Sequence, residues 1–206
     1  MYLPKQFNHP EHARSIILEN PFASLVSNDD EGFPFISHIP IKLMPHATDA
    51  QQDILLGHVA KGNAHAGFLH KRPQVLLTFM GPQAYMSPAV YPDLIRVPTW
   101  SYVAVHVKAK VRILDGEEAK DALLKQLIAD HEPAYAQQWR GLPETYTHPM
   151  MNAIVAFEMK LLEVQTKVKL NQHRPEAHAA MHAAYDAGNE SEKALALWMR
   201  RLGLVS

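Results

Sequence analysis

Apolar and polar positions alternate with period two along much of this chain. Residues 33–43 (FPFISHIPIKL) place Phe33, Phe35, Ser37, Ile39 and Ile41 on one face. Residues 99–115 set Val103, Val105, Val107 and Ala109 against Ala104, His106 and Lys108. Shorter apolar runs at 22–27, 53–60 and 75–80 read as further strands, Tyr85 begins another short extended piece, and 154–171 reads as a final long strand. The Asn28-Asp29-Asp30-Glu31-Gly32 cluster predicts a hairpin turn between the first two strands. Pro34 and Pro40 predict an edge or a bulge, because proline cannot donate to a ladder.

Helical spacing takes over elsewhere. Residues 11–19 form a short helix that Asn20-Pro21 stops. Residues 61–71 read as a second, and 116–131 as an amphipathic helix with Ala119, Leu123, Leu127 and Ile128 as its stripe. A further helical segment runs over 133–139, and 45–52 is a loop. The tail over 176–202 is helical, broken at Gly188-Asn189, with Ser191 as the cap of its second part. The fold class expected is mainly β with added α: a small antiparallel barrel with flanking helices and a helical C-terminal tail.

Composition narrows the function. The chain has 206 residues, enough for one sizeable core, and a net charge of −1. That balance argues against a chain dominated by contacts to nucleic-acid phosphates. With no cysteine, disulfides, thiolate catalysis and thiolate-ligated metals are excluded. No apolar run approaches the roughly 20 residues that span a bilayer, and the N-terminal stretch lacks the pattern of a secretory signal. The expectation is a cytoplasmic protein with no membrane partner.

Candidate chemistry lies where strands meet punctuated segments. Residues 57–63 (GHVAKGN) pass from a strand into a helix; backbone N–H groups there, with the Lys61 ammonium and the Asn63 amide, suit a phosphate. Read blandly, they are an ordinary strand-to-helix turn. Residues 81–88 (GPQAYMSP) are a turn with Tyr85 over it. Trp100 and Tyr102 share a strand face, the default role of which is core or interface. Lys167, Lys169, Asn171 and His173 share another, either solvated or an anion clamp. His178 and His182 are half of a metal site with no acidic partner at a matching spacing, so no metal is expected. No nucleophile elbow, P-loop or dinucleotide fingerprint occurs.

Several segments occur in one order: MYLPKQF, NPFASLV, GHVAKGNAH, GPQAYMSPAVY, VPTWSYVAVHV, IVAFEM and KLNQHRP. Together they resemble the PaiB family of FMN-binding negative transcriptional regulators, over residues 1 to about 175. The resemblance implies an FMN-binding split β-barrel, similar to pyridoxamine-phosphate oxidases and flavin reductases, over residues 1–175, with 176–206 as a helical extension. It also implies a homodimer with FMN near the interface. The phosphate would lie by His58, Lys61 and Asn63, and the ring against Ser37 and His38. The partner subunit would contribute the segment holding Gln83, Tyr85 and Ser87, and the region of Gln172 and Arg174. Trp100 is counted with these cofactor-binding residues.

The chain also departs from the family pattern. Where the family reads G-H-V-A-x-x-N-P-H-W, Ala64 and Ala66 stand for the Pro and Trp. Where it reads G-P-H-A-Y-I-S-P-S-W-Y, Gln83 stands for His and Val90 for Trp. The function implied is a negative transcriptional regulator acting on DNA directly or through a regulatory partner. A flavin-dependent oxidoreductase, with His38, Tyr85 or Trp100 beside the ring, is the alternative. A haem-binding split barrel using one of the 13 histidines is the third.

Overall fold

The computed structural model describes residues 1–93 and 95–206. Its strands are β1 (Phe22–Asn28), β2 (Pro34–Pro40), β3 (Lys42–Met44), β4 (Ile54–Ala60), β5 (Gln74–Met86), β6 (Thr99–Leu114) and β7 (Ile154–Lys169). Its α-helices are α1 (Ala13–Glu19), α2 (Ala64–Lys71), α3 (Glu117–His131), α4 (Tyr135–Gly141), α5 (Glu144–Asn152), α6 (His178–Asp186) and α7 (Glu190–Arg201). The sheet order is β2-β1-β5-β6-β7-β4-β3. The chain divides into two units: residues 1–20, 80–106 and 165–206 form the first, residues 21–79 and 107–164 the second.

In the second unit, β1 and β2 form the expected hairpin, in register from Phe22 opposite Pro40 to Asn28 opposite Pro34. The Asp29 carboxylate accepts from the Glu31 and Phe33 amides, and Gly32 takes the left-handed φ of 89° that the turn requires. The single return strand expected over 33–43 is instead two. Pro40 has no N–H, and the Ile41 amide donates to the Pro21 carbonyl at 2.9 Å. The chain then leaves β1, and β3 pairs with β4. Two strands separated by one residue thus occupy opposite ends of the sheet order, so this part of the sheet curls on itself. Gly57 sits inside the curl; a Cβ there would lie 2.9 Å from Ile41 Cδ1 and 3.0 Å from Phe157 Cε2.

Alternation supplies this unit's core: Leu25, Leu55, Leu77, Phe79, Val107, Phe157 and Met159 are all buried. Helix α3 adds Leu123. Helix α5, which carries an internal Pro149, was not expected from the pattern.

In the first unit, β5 runs unbroken through Gly81 and Pro82 to Met86 rather than stopping near Met80. Gly81 permits this by lying against β6, where a Cβ would come within 3.2 Å of Val103 Cβ. Strand β7 ends at Lys169, two residues early, because Asn171 adopts a left-handed φ of 62°. The break at Gly188-Asn189 holds, but the cap of α7 is Asn189, in a capping box with Glu192. Ser191 instead donates to the Gln83 carbonyl at 2.7 Å and accepts from the Gln83 amide at 2.9 Å. Helices α6 and α7 bury Met181, Tyr185, Leu195 and Met199 with Ile16, Val103 and Leu170 in the core of this unit.

Candidate functional site

The candidate residues fall into two groups, one in each unit. In the second unit, β4 delivers His58 and the loop that follows delivers Lys61 and Asn63. The Asn63 side chain caps α2 by accepting from the His65 amide at 2.9 Å. Its Nδ2 donates to Ser37 Oγ at 3.0 Å, and Ser37 Oγ hydrogen-bonds His65 Nδ1 at 2.8 Å. Ser37, Asn63 and His65 therefore form one polar network, with Ser37 and His65 buried and Asn63 half-buried.

His65 was not singled out from the sequence, although it stands at the histidine of the G-H-V-A-x-x-N-P-H-W pattern. It is fully buried, edge-on to Phe35 at 5.0 Å, with Nε2 unpartnered. Burial, which disfavours the charged ring, holds its pKa below the ordinary 6.5. His58 is lowered for the same reason, and its Nδ1 is buried without a partner.

His38 lies apart from this network. Successive strand residues face opposite ways, so Ser37 is buried while His38 is exposed, 3.0 Å from Ser24 Oγ and stacked on Phe22. Lys61 is exposed, with no side-chain partner among the described residues, and open space surrounds Gly62. An unpaired ammonium beside the capped start of an eight-residue helix fits the phosphate of a mononucleotide.

In the first unit, Gln83 and Tyr85 are exposed on β5 and Trp100 is exposed on β6. The Tyr85 and Trp100 rings meet edge-on at 6.4 Å. Ser87 Oγ accepts from the Ala89 amide and caps a short turn. Gln172 is turned onto its own chain: its Oε1 accepts from the Leu170 amide, and its Nε2 donates to the Val168 carbonyl and to His9 Nε2. Arg174 stays part-exposed beside Glu176.

A cleft of about 810 Å³ opens in this unit, walled by Phe7, Tyr91, Trp100, Lys169, Asn171 and Arg174 among others. Of the candidate cofactor residues, Trp100 and Arg174 line it; Gln83, Tyr85, Ser87 and Gln172 do not. The 167–173 face is not solvated throughout: Lys167 and Asn171 are each 6% exposed. The Lys167 ammonium donates to the Tyr2 carbonyl at 2.9 Å and stands over the Tyr102 ring. The Lys169 ammonium donates to Thr99 Oγ1 and to the Trp100 carbonyl at 2.8 Å. Burial, and then the charge of Lys167, hold the Lys169 pKa below its ordinary value.

A family model described as "Putative FMN-binding domain" matches residues 1–163. The chain belongs to this family. Its cofactor is FMN. A curated relative is protease synthase and sporulation protein PAI 2 of Bacillus subtilis, 30% identical over 181 residues, covering 85% of this chain and 84% of that protein. Among solved structures, flavocytochrome Anf3 of Azotobacter vinelandii superposes with a TM-score of 0.59 at 14% identity, covering 80% of this chain and 69% of that one. An FAD- and haem-binding protein of Mycobacterium smegmatis gives 0.58 at 14% identity, covering 79% and 72%. At that identity these likenesses speak for the fold alone. The fold is the split barrel of antiparallel strands with flanking helices expected from the sequence. Among the described residues, no helix is long and apolar enough to cross a membrane.

Proposed function

We propose that this FMN-binding protein is a homodimeric negative regulator of transcription of the PaiB type. The FMN phosphate is held by Lys61, the α2 start capped by Asn63, and His58, with the ring lying along β2 near Ser37 and His38. The partner subunit contributes its Gln83, Tyr85 and Ser87, and its Gln172 braces the end of β7; Trp100 and Arg174, counted with the cofactor residues from the sequence, line the separate cleft. Bound FMN supplies electron or hydride transfer.

The chain's own groups have separate tasks. Lys61 neutralises the phosphate, and the Ser37–Asn63–His65 network fixes the loop that presents it. The observation that carries this reading is the pairing of an exposed, unpartnered Lys61 with a capped helix start in a chain whose family binds FMN. The dimer is supported by apolar surface on β5 in the first unit, outside the cleft, where Met80 is 46% and Tyr85 51% exposed.

A net charge of −1 favours regulation through a partner or through the flavin state over a strong grip on DNA. The test is deletion of the gene, followed by complementation. A defined set of transcripts rises on deletion, falls with the wild-type chain and stays raised with Lys61→Ala. Unchanged transcripts would remove the regulatory role. Promoter DNA retarded at physiological salt, with a steep salt slope, would make the regulation direct.

The open cleft beside Trp100 favours a second reading, a flavin-dependent oxidoreductase with a small-molecule substrate. Reduction of the bound flavin by NADH or NADPH, followed by turnover of an acceptor, supports it. A flavin that stays oxidised under excess reductant excludes it.

A further inference from the structure

The cleft of the first unit carries a charge that the chain does not answer. Among its described lining residues are three cations, Arg96, Lys169 and Arg174, and no carboxylate. Arg96 and Arg174 are answered nearby: Arg96 pairs with Asp93 at 2.8 Å and with Glu176 at 3.4 Å, and Arg174 reaches Glu176 at 4.0 Å. Lys169 has no acidic partner among the described residues. Its two protein acceptors, Thr99 Oγ1 and the Trp100 carbonyl, are both neutral. A lysine offers three hydrogens, so one is left for the cleft that Lys169 lines. A half-buried cation facing neutral dipoles and a second lysine is costly unless an anion arrives to pair with it.

Asn171 makes a second, independent observation at the same place. It is 6% exposed, lines the cleft and leaves its amide Nδ2 without a partner. Its Oδ1 accepts from the Tyr91 hydroxyl at 3.2 Å, and its carbonyl is taken by His178 Nε2 at 3.0 Å and by the Arg174 amide. Those bonds pin a left-handed residue whose side-chain NH2, with both its hydrogens, is left over. Buried donors without partners are rare and costly. The wall also carries the aromatic rings of Tyr2, Phe7, Tyr91 and the exposed Trp100.

We propose that this cleft binds a second ligand, distinct from FMN: a small molecule with a planar apolar body and one carboxylate or phosphate. The anion pairs with Lys169 and takes the Asn171 amide. The planar body lies against Trp100. The inference takes from the proposed function only the placement of the FMN phosphate at Lys61. The two readings fail separately.

Calorimetric titration of the FMN-saturated protein with phenyl phosphate, benzoate and neutral benzamide tests it. At least one anion binds, benzamide binds at least about tenfold more weakly, and Lys169→Met weakens the anion roughly ten- to a hundredfold. Lys169→Arg retains binding within a few-fold. Asn171→Asp, which keeps a residue tolerant of the left-handed backbone, weakens the anion while leaving the Lys169 bonds in place.

Absence of anion binding, benzamide binding as tightly as the anions, or indifference to both the Met and Asp variants would overturn the second site. Anions that bind only the FMN-free protein and compete with FMN would also overturn it, by making the cleft part of the flavin's own place. If the protein takes up no FMN at all, the Lys61 reading falls. The same titration without FMN then still decides the anion site.

Discussion

Ser37 Oγ lies 2.8 Å from Nδ1 of the fully buried His65. That hydroxyl also accepts from the Asn63 amide, so one small side chain joins β2 to the loop before α2. Replacing Ser37 by alanine strands the buried His65 Nδ1 and removes the acceptor of the half-buried Asn63 amide. The expected loss of stability is about 1–3 kcal/mol, read as a lower urea midpoint at unchanged slope. Ser24→Ala, at a more exposed contact to His38, should change stability by no more than about 0.5 kcal/mol. Equal effects of the two would show that this network does not hold the loop.

Stability should fall as pH drops from about 7 to about 5. Burial lowers the pKa values of His58, His65 and His106 below the ordinary 6.5. Above that value the rings are neutral in both the folded and the unfolded chain. Below it the unfolded chain takes up protons that the buried rings refuse, so folding is progressively penalised until the folded rings also titrate. Urea midpoints at several pH values measure the slope, and His65→Gln should flatten it. A midpoint that rises on acidification would contradict the burial of these rings.

Lys61→Ala should weaken FMN roughly ten- to a hundredfold, the worth of one charge-assisted hydrogen bond. Thermal stability of the FMN-free protein should hardly change, because Lys61 is exposed and its side chain has no partner among the described residues. Flavin fluorescence titration gives the affinity. An unchanged affinity would place the phosphate elsewhere.

Gln172 separates contact from positioning. Its amide closes the end of β7 through the Leu170 amide and the Val168 carbonyl. Gln172→Ala should destabilise the protein by about 1–3 kcal/mol and weaken FMN and anion binding together. Loss of FMN binding with stability intact would instead make Gln172 a direct contact.

Much of the sheet was legible in the chain because strand burial has a period of two. Val103, Val105, Val107 and Ala109 are buried on β6 as their spacing predicts. The hairpin turn at 28–32 was legible from its own chemistry, since Asp29 and Gly32 act locally. The family order of motifs located Lys61 and Asn63 at the start of a helix. The cap of α7 was misplaced because Ser191 and Asn189 are both good cap residues, and the choice depends on Gln83, 108 residues away in the chain.

The sequence by itself determined the elements with strong periodicity, the membership of the chain in an FMN-binding family and the absence of thiol chemistry. Those follow from residue type and short-range spacing. Tertiary structure alone decided that residues 33–43 split at Pro40 into strands at opposite ends of the sheet order. It alone placed His65 behind Ser37 and turned Gln172 inward. It alone showed that Lys169 faces a cleft with no carboxylate in its described lining. Each of these is a matter of which distant groups fill a residue's hydrogen-bonding and charge requirements, and periodicity carries no information about partners far along the chain.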